Sequence, residues 1–197
     1  IIFKRTGTSW SRETTLTASD AQASALFGYQ CKLGYANGTD NTEGYSVLIT
    51  ARDHGSNIEG KAYLFTESGG TWTEQLTFVN SDQQTFSRFG WSADMIDNKI
   101  VIGCPRHGPS SGDNIGAFYT YSIGPGYSQQ AKLSEAYTSG HNDNLGRYFG
   151  QQIAIDTDGD TVAIGAPAMA DGFNSQRYNS TYGHAEVWVR SGTTWSA

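Results

Sequence analysis

A cluster of acidic residues with alternating spacing is the clearest candidate for chemistry in this chain of 197 residues. Asp156, Asp158 and Asp160 lie around Gly159 within the stretch FGQQIAIDTDGDTVAIGAP. Calcium takes about six to eight oxygen ligands, several of them carboxylates at alternating loop positions. The three aspartates therefore predict either a calcium site or an Asp-Gly hairpin turn. We favour the turn, because no later carboxylate completes a calcium loop before the next apolar stretch.

A repeat of about 60 residues determines where this acidic cluster lies. Phe-Gly occurs three times, at Phe27-Gly28, Phe89-Gly90 and Phe149-Gly150. Each copy is followed by an apolar stretch, namely SVLITAR, KIVIGCP and TVAIGAP, and then by an aromatic-rich stretch, namely GKAYLFTE, GAFYTYS and GHAEVWVR. Each unit therefore predicts four short strands, the first starting at Phe-Gly and the second ending at the small-residue turn. Four antiparallel strands at this period are typical of a β-propeller blade, so we expect an all-β fold.

The predicted blades follow one another without a linker. Residues 1–26 are expected to hold the end of a preceding blade and the start of the first period. The first, second and third blades are expected at 27–88, 89–148 and 149–197. IIFKRTGTSWS from Ile1 aligns with EVWVRSGTTWS from Glu186, so a third strand occurs at both ends. We therefore expect part of a larger propeller or array, or closure with another copy, since rings contain at least about four blades.

Composition excludes several classes of function. Glycine and aromatic residues are abundant and only 16% of residues are charged, which favours strands and tight turns over helices. The net charge of −6, without a basic stripe, argues against a nucleic-acid partner. No apolar run approaches the roughly 20 residues of a membrane helix, so we expect no membrane insertion by this segment.

The pairing of Phe-Gly with a later Gly-Ala-Pro resembles the FG-GAP repeat, the blade unit of integrin α-chain propellers. The sequence is more similar to the shorter bacterial and protist version, in which a Trp and a Leu precede Phe-Gly. The third unit matches in full, whereas the other two depart at the turn, with Gly103-Cys104-Pro105 and Thr50-Ala51-Arg52. The resemblance covers essentially the whole chain, and it implies a β-propeller.

The resemblance also implies where partners and metal would bind. Loops between second and third strands, and those between blades, would lie on one face, where partners commonly bind. The loop between first and second strands would lie on the other face, and in the integrin version it holds calcium. Asp156–Asp160 corresponds to this loop, but the second unit makes the same connection with Asp97-Asn98 alone. That short connection favours a hairpin turn in the third unit as well.

Histidine and cysteine residues are the remaining candidates for chemistry. His54 and His107 occupy equivalent positions after the small-residue turn, and a metal or catalytic cluster would require such residues to converge. Support of a turn is the simpler interpretation. Cys31 and Cys104 align with core-facing positions of the third unit, so we expect two buried thiols, with a disulfide between adjacent blades left open. No nucleophile with an identifiable base is present, and we expect no enzymatic activity.

Two features of the sequence indicate an extracellular protein with a binding partner. Sequons at Asn37 and Asn179 predict glycosylation in a secreted protein. The long loop from Ala168 mixes amides with aromatic and basic residues, a composition suited to a protein or glycan partner; its candidate contacts are Phe173, Arg177, Tyr178 and Tyr182. We therefore expect a non-enzymatic extracellular or cell-surface module for adhesion, recognition or assembly of a surface structure. The alternatives are a purely structural subunit of a fibrous assembly, built from further copies, and a carbohydrate-active propeller enzyme.

Overall fold

The computed structural model describes residues 1–35, 44–108, 114–122, 128–134, 147–167 and 183–197. In these residues all regular secondary structure is β-strand. The same residues contain no helix that is long and apolar enough to cross a membrane. The predicted all-β fold is therefore confirmed.

The strands form a hairpin and three sheets of four antiparallel strands each. The hairpin consists of β1 (Ile2–Thr6) and β2 (Ser9–Thr14). The first sheet contains β3 (Phe27–Tyr35), β4 (Tyr45–Ala51), β5 (Lys61–Ser68) and β6 (Thr71–Phe78). The second contains β7 (Ser92–Ile96), β8 (Lys99–Cys104), β9 (Ala117–Ser122) and β10 (Ser128–Leu133). The third contains β11 (Gln152–Ile155), β12 (Thr161–Ala166), β13 (His184–Ser191) and β14 (Thr194–Ser196).

Spatial order within each sheet follows sequence order, as expected for propeller-type blades. The first strands lie side by side, because β7 contacts both β3 and β11. The second strands β4 and β8 are buried along nearly their whole length, as their apolar sequences predict. Strand β12 differs, because Ala163 is exposed on one of its faces.

The cores lie between neighbouring sheets, where aromatic side chains fill the space. Between the first and second sheets, Phe89 packs edge-on against Tyr119, with ring centroids 5.3 Å apart. Between the second and third sheets, Trp188 contacts Phe118 in the same way, at 5.8 Å. Such edge-to-face pairs add stability of about 0.5–1.5 kcal/mol beyond the area they bury.

Two of the three Phe-Gly pairs connect their sheet to the one before it. Phe89 forms a parallel bridge with Gly60, and Phe149 forms one with Gly116. We expected the first strand of every unit to begin at Phe-Gly. This is right for β3, but it is wrong for β7 and β11. In those units the strand starts three residues after the phenylalanine, because the bridge to the preceding sheet uses the backbone of that residue.

The two cysteines lie in different environments, and both are free thiols. Cys104 is fully buried, as expected. Cys31 is exposed, so the prediction that it faces a core is wrong. Its register partner is Ile49, which makes it equivalent to Ala93 of the second sheet. Ala93 is covered by the first sheet, whereas the described structure before β3 is only a two-stranded hairpin.

Candidate functional site

The acidic segment forms the turn between β11 and β12. The Asp156 amide donates to the Thr161 carbonyl at 2.9 Å, and the Gly159 amide donates to the Asp156 carbonyl at 2.9 Å. The carboxylates of Asp156 and Asp158 accept hydrogen bonds from backbone amides within the turn. These are local side-chain-to-backbone bonds of the kind that stabilise Asx turns.

The third carboxylate of the turn is bound by two cations. Lys99 of the second sheet donates from Nζ to Asp160 Oδ1 at 3.0 Å and to the Asp158 carbonyl at 2.7 Å. Arg190 of β13 donates to the same Oδ1 from Nε at 2.7 Å. Hydrogen bonds from Arg190 and Lys99 hold the pKa of Asp160 below its usual range.

This arrangement does not fit a calcium ion. The carboxylates of Asp156 and Asp158 accept hydrogen bonds from backbone amides of the turn. The carboxylate of Asp160 faces an ammonium and a guanidinium group. In the described residues no group of three or more His, Cys, Asp or Glu side chains could hold a metal ion. The geometry is that of a hairpin turn in which Lys99 supplies the positive charge.

The histidines at the equivalent loop positions each face an aspartate that precedes their sheet. His107 Nε2 lies 2.6 Å from Asp82 Oδ2, and His54 Nε2 lies 3.4 Å from Asp20 Oδ2. Each carboxylate also accepts from a lysine and a tyrosine, namely Lys132 and Tyr119 for Asp82, and Lys61 and Tyr63 for Asp20. We call these groups the Asp–His clusters. Both aspartates belong to Ser-Asp-x-Gln segments, at residues 19–22 and 81–84. The clusters join these segments to the following sheet and explain why histidine recurs at this position.

The Asp–His cluster of Asp82 and His107, which we call the second cluster, has chemistry that argues against a nucleophilic site. Burial lowers the pKa of His107, and its Nε2 lies 2.6 Å from Asp82 Oδ2, an oxygen that accepts hydrogen bonds. Cys104 lies nearby, but burial raises the pKa of its thiol to about 12. A thiol in this state is a poor nucleophile, because the thiolate is the reactive form. The cluster therefore holds the two segments together.

A cationic and aromatic cluster lies at the opposite end of the sheets from the Asp156–Asp160 turn. The Arg52 guanidinium carbon lies 4.0 Å from the ring centroids of both Tyr29 and Trp91. Arg88 lies over the same Trp91 ring at 5.5 Å. We call this group, together with Asp53 and Arg106, the arginine cluster.

Positive charge is in excess within the arginine cluster. Asp53 Oδ1 lies 3.3 Å from Arg88 Nε and 3.6 Å from Arg52 Nε, so one carboxylate faces two guanidinium groups. Arg106 has no ion pair among the described residues, and its buried Nε has no hydrogen-bond partner there. The Arg106 amide donates to the carbonyl of Ser87, the residue before Arg88, at 3.3 Å. Burial lowers the pKa of Arg88, and the charge of Arg106 lowers it further.

Sequence reasoning missed the arginine cluster because its members come from separate parts of two units. Arg52 and Arg106 follow the second strands, whereas Arg88 lies in the connection between sheets. One signal was visible: Arg52 stands where the third unit has the proline of Gly-Ala-Pro. The aromatic members also occupy equivalent positions, each two residues after a Phe-Gly phenylalanine.

Several predicted site residues lie outside the described part of the chain. They are the glycosylation sites Asn37 and Asn179 and the loop residues Phe173, Arg177, Tyr178 and Tyr182. These assignments stay predictions from the sequence.

Comparison with known proteins agrees with the repeat. Residues 72–121, which run from β6 into β9, match the family model of the FG-GAP repeat. The predicted resemblance is thereby confirmed, and the chain carries an FG-GAP repeat in propeller-type, four-stranded sheets. No curated protein matches the chain.

Proposed function

We propose that this FG-GAP chain is a non-enzymatic extracellular recognition module that binds an acidic group of a protein or glycan partner at the arginine cluster. The observation that carries this proposal is that Arg52 and Arg88 face a single carboxylate, that of Asp53, while Arg106 lies beside them through the hydrogen bond of its amide to the Ser87 carbonyl. A chain with a net charge of −6 gains no general advantage from concentrating cations in one place. A guanidinium group held over aromatic rings is prepared to bind a carboxylate, because it loses little freedom on binding.

The position of the cluster supports recognition. It lies where second-to-third-strand loops and sheet connections begin, on the face where the resemblance implies partner binding. Asp53 accounts for the charge of at most one arginine, so an incoming anion would meet unbalanced positive charge. Hydrogen bonds to charged groups typically contribute about 1.5–3 kcal/mol, enough for an affinity that depends on single arginines.

The absence of enzymatic activity is part of the proposal. His107 is engaged with Asp82, and the neighbouring Cys104 is kept as a thiol by burial. The extracellular location rests on the sequons and on the family, whose repeats typically occur in extracellular proteins. Expression through a eukaryotic secretory pathway should yield a glycoprotein whose gel mobility shifts after endoglycosidase treatment. An unshifted protein, identical to an Asn37→Gln and Asn179→Gln variant, would argue against the location.

Binding of acidic ligands tests the recognition site directly. The chain is screened against acidic and neutral oligosaccharides and against acidic and neutral peptides, and affinities for the best ligands are measured by calorimetry. Arg106→Gln should weaken binding of the acidic ligand about tenfold, the effect of about 1.4 kcal/mol, without unfolding the sheets. The two acidic arms of the screen distinguish a glycan from a protein partner.

A charge-matched control distinguishes binding at the arginine cluster from a general effect of net charge on affinity. Lys4 is an exposed cation of the β1–β2 hairpin, and Lys4→Gln changes the net charge by the same amount. It should leave the affinity unchanged. Equal weakening by both substitutions, or binding of no acidic ligand at all, would overturn the proposal.

A further inference from the structure

The carboxylate of Asp53 occupies the middle of the arginine cluster without a hydrogen bond at the oxygen that faces the cations. This Oδ1 lies 3.3 Å from Arg88 Nε and 3.6 Å from Arg52 Nε. Among the described residues neither Asp53 Oδ1 nor Arg52 Nε has a hydrogen-bond partner. Hydrogen bonds between an ionised nitrogen and a carboxylate are normally about 2.7–2.9 Å long. Attraction between charges therefore holds this oxygen in place, and no hydrogen-bonded pair closes the space between the two guanidinium groups.

The side chain of Asp53 is free to leave that space while its backbone stays fixed. The Asp53 amide donates to the Ala25 carbonyl at 3.1 Å, which anchors the main chain. The side chains of Arg52, Asp53 and Arg88 are 16%, 19% and 21% exposed, so solvent reaches all three. An anion from solution therefore has access to the place that the Asp53 carboxylate occupies.

The cluster carries two positive charges in excess. Asp53 and Arg106 occupy equivalent positions in their units, each directly before the recurring histidine. The repeat thus supplies a carboxylate in the first unit and a guanidinium group in the second. The three guanidinium groups stay protonated, and one carboxylate offsets one of them. A ligand group with two negative charges neutralises the remainder.

Competition with Asp53 penalises ligands that carry a single charge. A lone carboxylate enters between Arg52 and Arg88 only by displacing Asp53, so one ion pair replaces another and little is gained. A second negative charge on the same ligand reaches Arg106, whose buried Nε has no hydrogen-bond partner among the described residues. The additional contact is then a net gain, because nothing of equal charge is displaced there.

We propose that Asp53 is an internal competitor at the arginine cluster, and that the cluster selects ligands with two neighbouring negative charges, one taking the place of Asp53 and the other facing Arg106. This inference rests on the proposed recognition of acidic groups and specifies their chemistry. Tyr29 and Trp91 support the exchange, because the Arg52 guanidinium carbon lies 4.0 Å from both ring centroids and stays in position when the carboxylate beside it changes.

Probes with one and two charges test the preference. Acetate and malonate, a monocarboxylate and a dicarboxylate, are titrated into the full chain at pH 7.5 and constant ionic strength, and the indole N–H signal of Trp91 is followed by NMR. Malonate should bind at least about tenfold more tightly than acetate, the effect of one additional hydrogen bond to a charged group. In Arg106→Gln this advantage should disappear. Equal binding of the two probes by the wild type, or an undiminished advantage of malonate in the variant, would overturn the proposal.

Asp53→Asn tests the competition, because it removes the charge and keeps the shape. Both probes should bind this variant about tenfold more tightly than the wild type. Acetate should also raise the melting temperature of the variant more than sodium chloride at the same ionic strength, since an added carboxylate replaces the missing one. This rescue is measurable even where the variant is less stable. Weaker binding, without rescue, would show that Asp53 positions the arginines and does not compete with the ligand.

The matched control is Asp97→Asn, which makes the same change of charge in the exposed turn between β7 and β8. It should bind both probes like the wild type, and a gain equal to that of Asp53→Asn would attribute the effect to net charge and contradict the competition. Binding of malonate without any gain in Asp53→Asn would overturn this inference alone. Binding of neither probe by any of these proteins would overturn the proposed recognition site as well.

Discussion

Lys99 of the second sheet donates a hydrogen bond to Asp160 of the third, with 3.0 Å between Nζ and Oδ1. Arg190 donates to the same oxygen from within the third sheet. One carboxylate thereby connects the turn before β12, the start of β8 and the strand β13. The acidic turn that first resembled a calcium loop is a place where an ammonium group joins two blades.

This ion cluster predicts a calcium-independent contribution to stability. Lys99→Met and Asp160→Asn should each lower the free energy of unfolding by about 0.2–1 kcal/mol, the range of exposed ion pairs. The double variant should lose less than the sum of the two, because both substitutions remove the same contact. Denaturant unfolding of the four proteins measures this coupling.

The same proteins are melted with added calcium and with chelator. No shift is expected in either condition. A rise in the melting temperature with calcium that disappears in Asp158→Ala would show a metal site and would contradict our interpretation of the turn.

The second Asp–His cluster predicts that stability falls as the pH drops below about 6.5, the ordinary pKa of histidine. Burial lowers the pKa of His107, against its hydrogen bond with Asp82, so the folded chain binds fewer protons there than the unfolded chain. Stability from this group is complete above the ordinary pKa and is lost as the pH falls towards the lowered pKa. Thermal melting between about pH 8 and pH 5 should show the loss, and His107→Gln should flatten it.

Asp82 extends the same dependence to lower pH. Although burial would raise its pKa, hydrogen bonds from Lys132 and His107 lower the pKa overall. Its stabilisation is therefore present above about pH 4, the ordinary range of aspartate, and is lost as the pH falls further. Asp82→Asn should remove this acidic limb and leave a less stable protein at neutral pH. A pH profile identical to that of the wild type would contradict the assigned role.

Much of the fold follows from local sequence pattern. The apolar stretch from Lys99 to Cys104 predicted a second strand buried on both faces, and Asp97-Asn98 predicted the two-residue hairpin that joins it to β7. These features depend on residues close in sequence, where the side-chain period and turn chemistry decide the outcome.

Features that depend on contacts between sheets were not predictable in the same way. Cys31 and Ala93 occupy equivalent positions in the repeat, yet only Ala93 is covered by a neighbouring sheet. The arginine cluster assembles from positions more than 50 residues apart, such as Arg52 and Arg106. The pattern of a single unit predicts neither the exposure of Cys31 nor the arginine cluster. Both depend on the side chains that the adjacent unit places against it.

The bridges between sheets predict a strict requirement for glycine. A Cβ atom on Gly60 would lie 2.1 Å from the carbonyl oxygen of Phe89, and the residue has a φ of +86°. Gly60→Ala should therefore combine backbone strain with displacement of the next sheet, and destabilise the chain by about 2 kcal/mol or more. Gly70 is a matched control, since its φ is +83° and a Cβ there would meet nothing within 4 Å. Chemical denaturation of both variants separates the two effects, and equal losses would show that the close approach to Phe89 contributes nothing.

The two cysteines predict a sharp difference in reactivity. Cys31 is exposed, whereas Cys104 is buried with its Sγ 3.2 Å from the Ser87 carbonyl oxygen. Burial raises the pKa of Cys104 to about 12, so its thiol stays protonated in the folded chain. The reagent also cannot reach this buried sulfur. Iodoacetamide should modify one thiol per native chain and two after denaturation, as counted by mass spectrometry. In Cys31→Ser the native count should fall to zero. Labelling of Cys104 without denaturant, at a rate comparable to that of Cys31, would mean that the first and second sheets separate readily in solution.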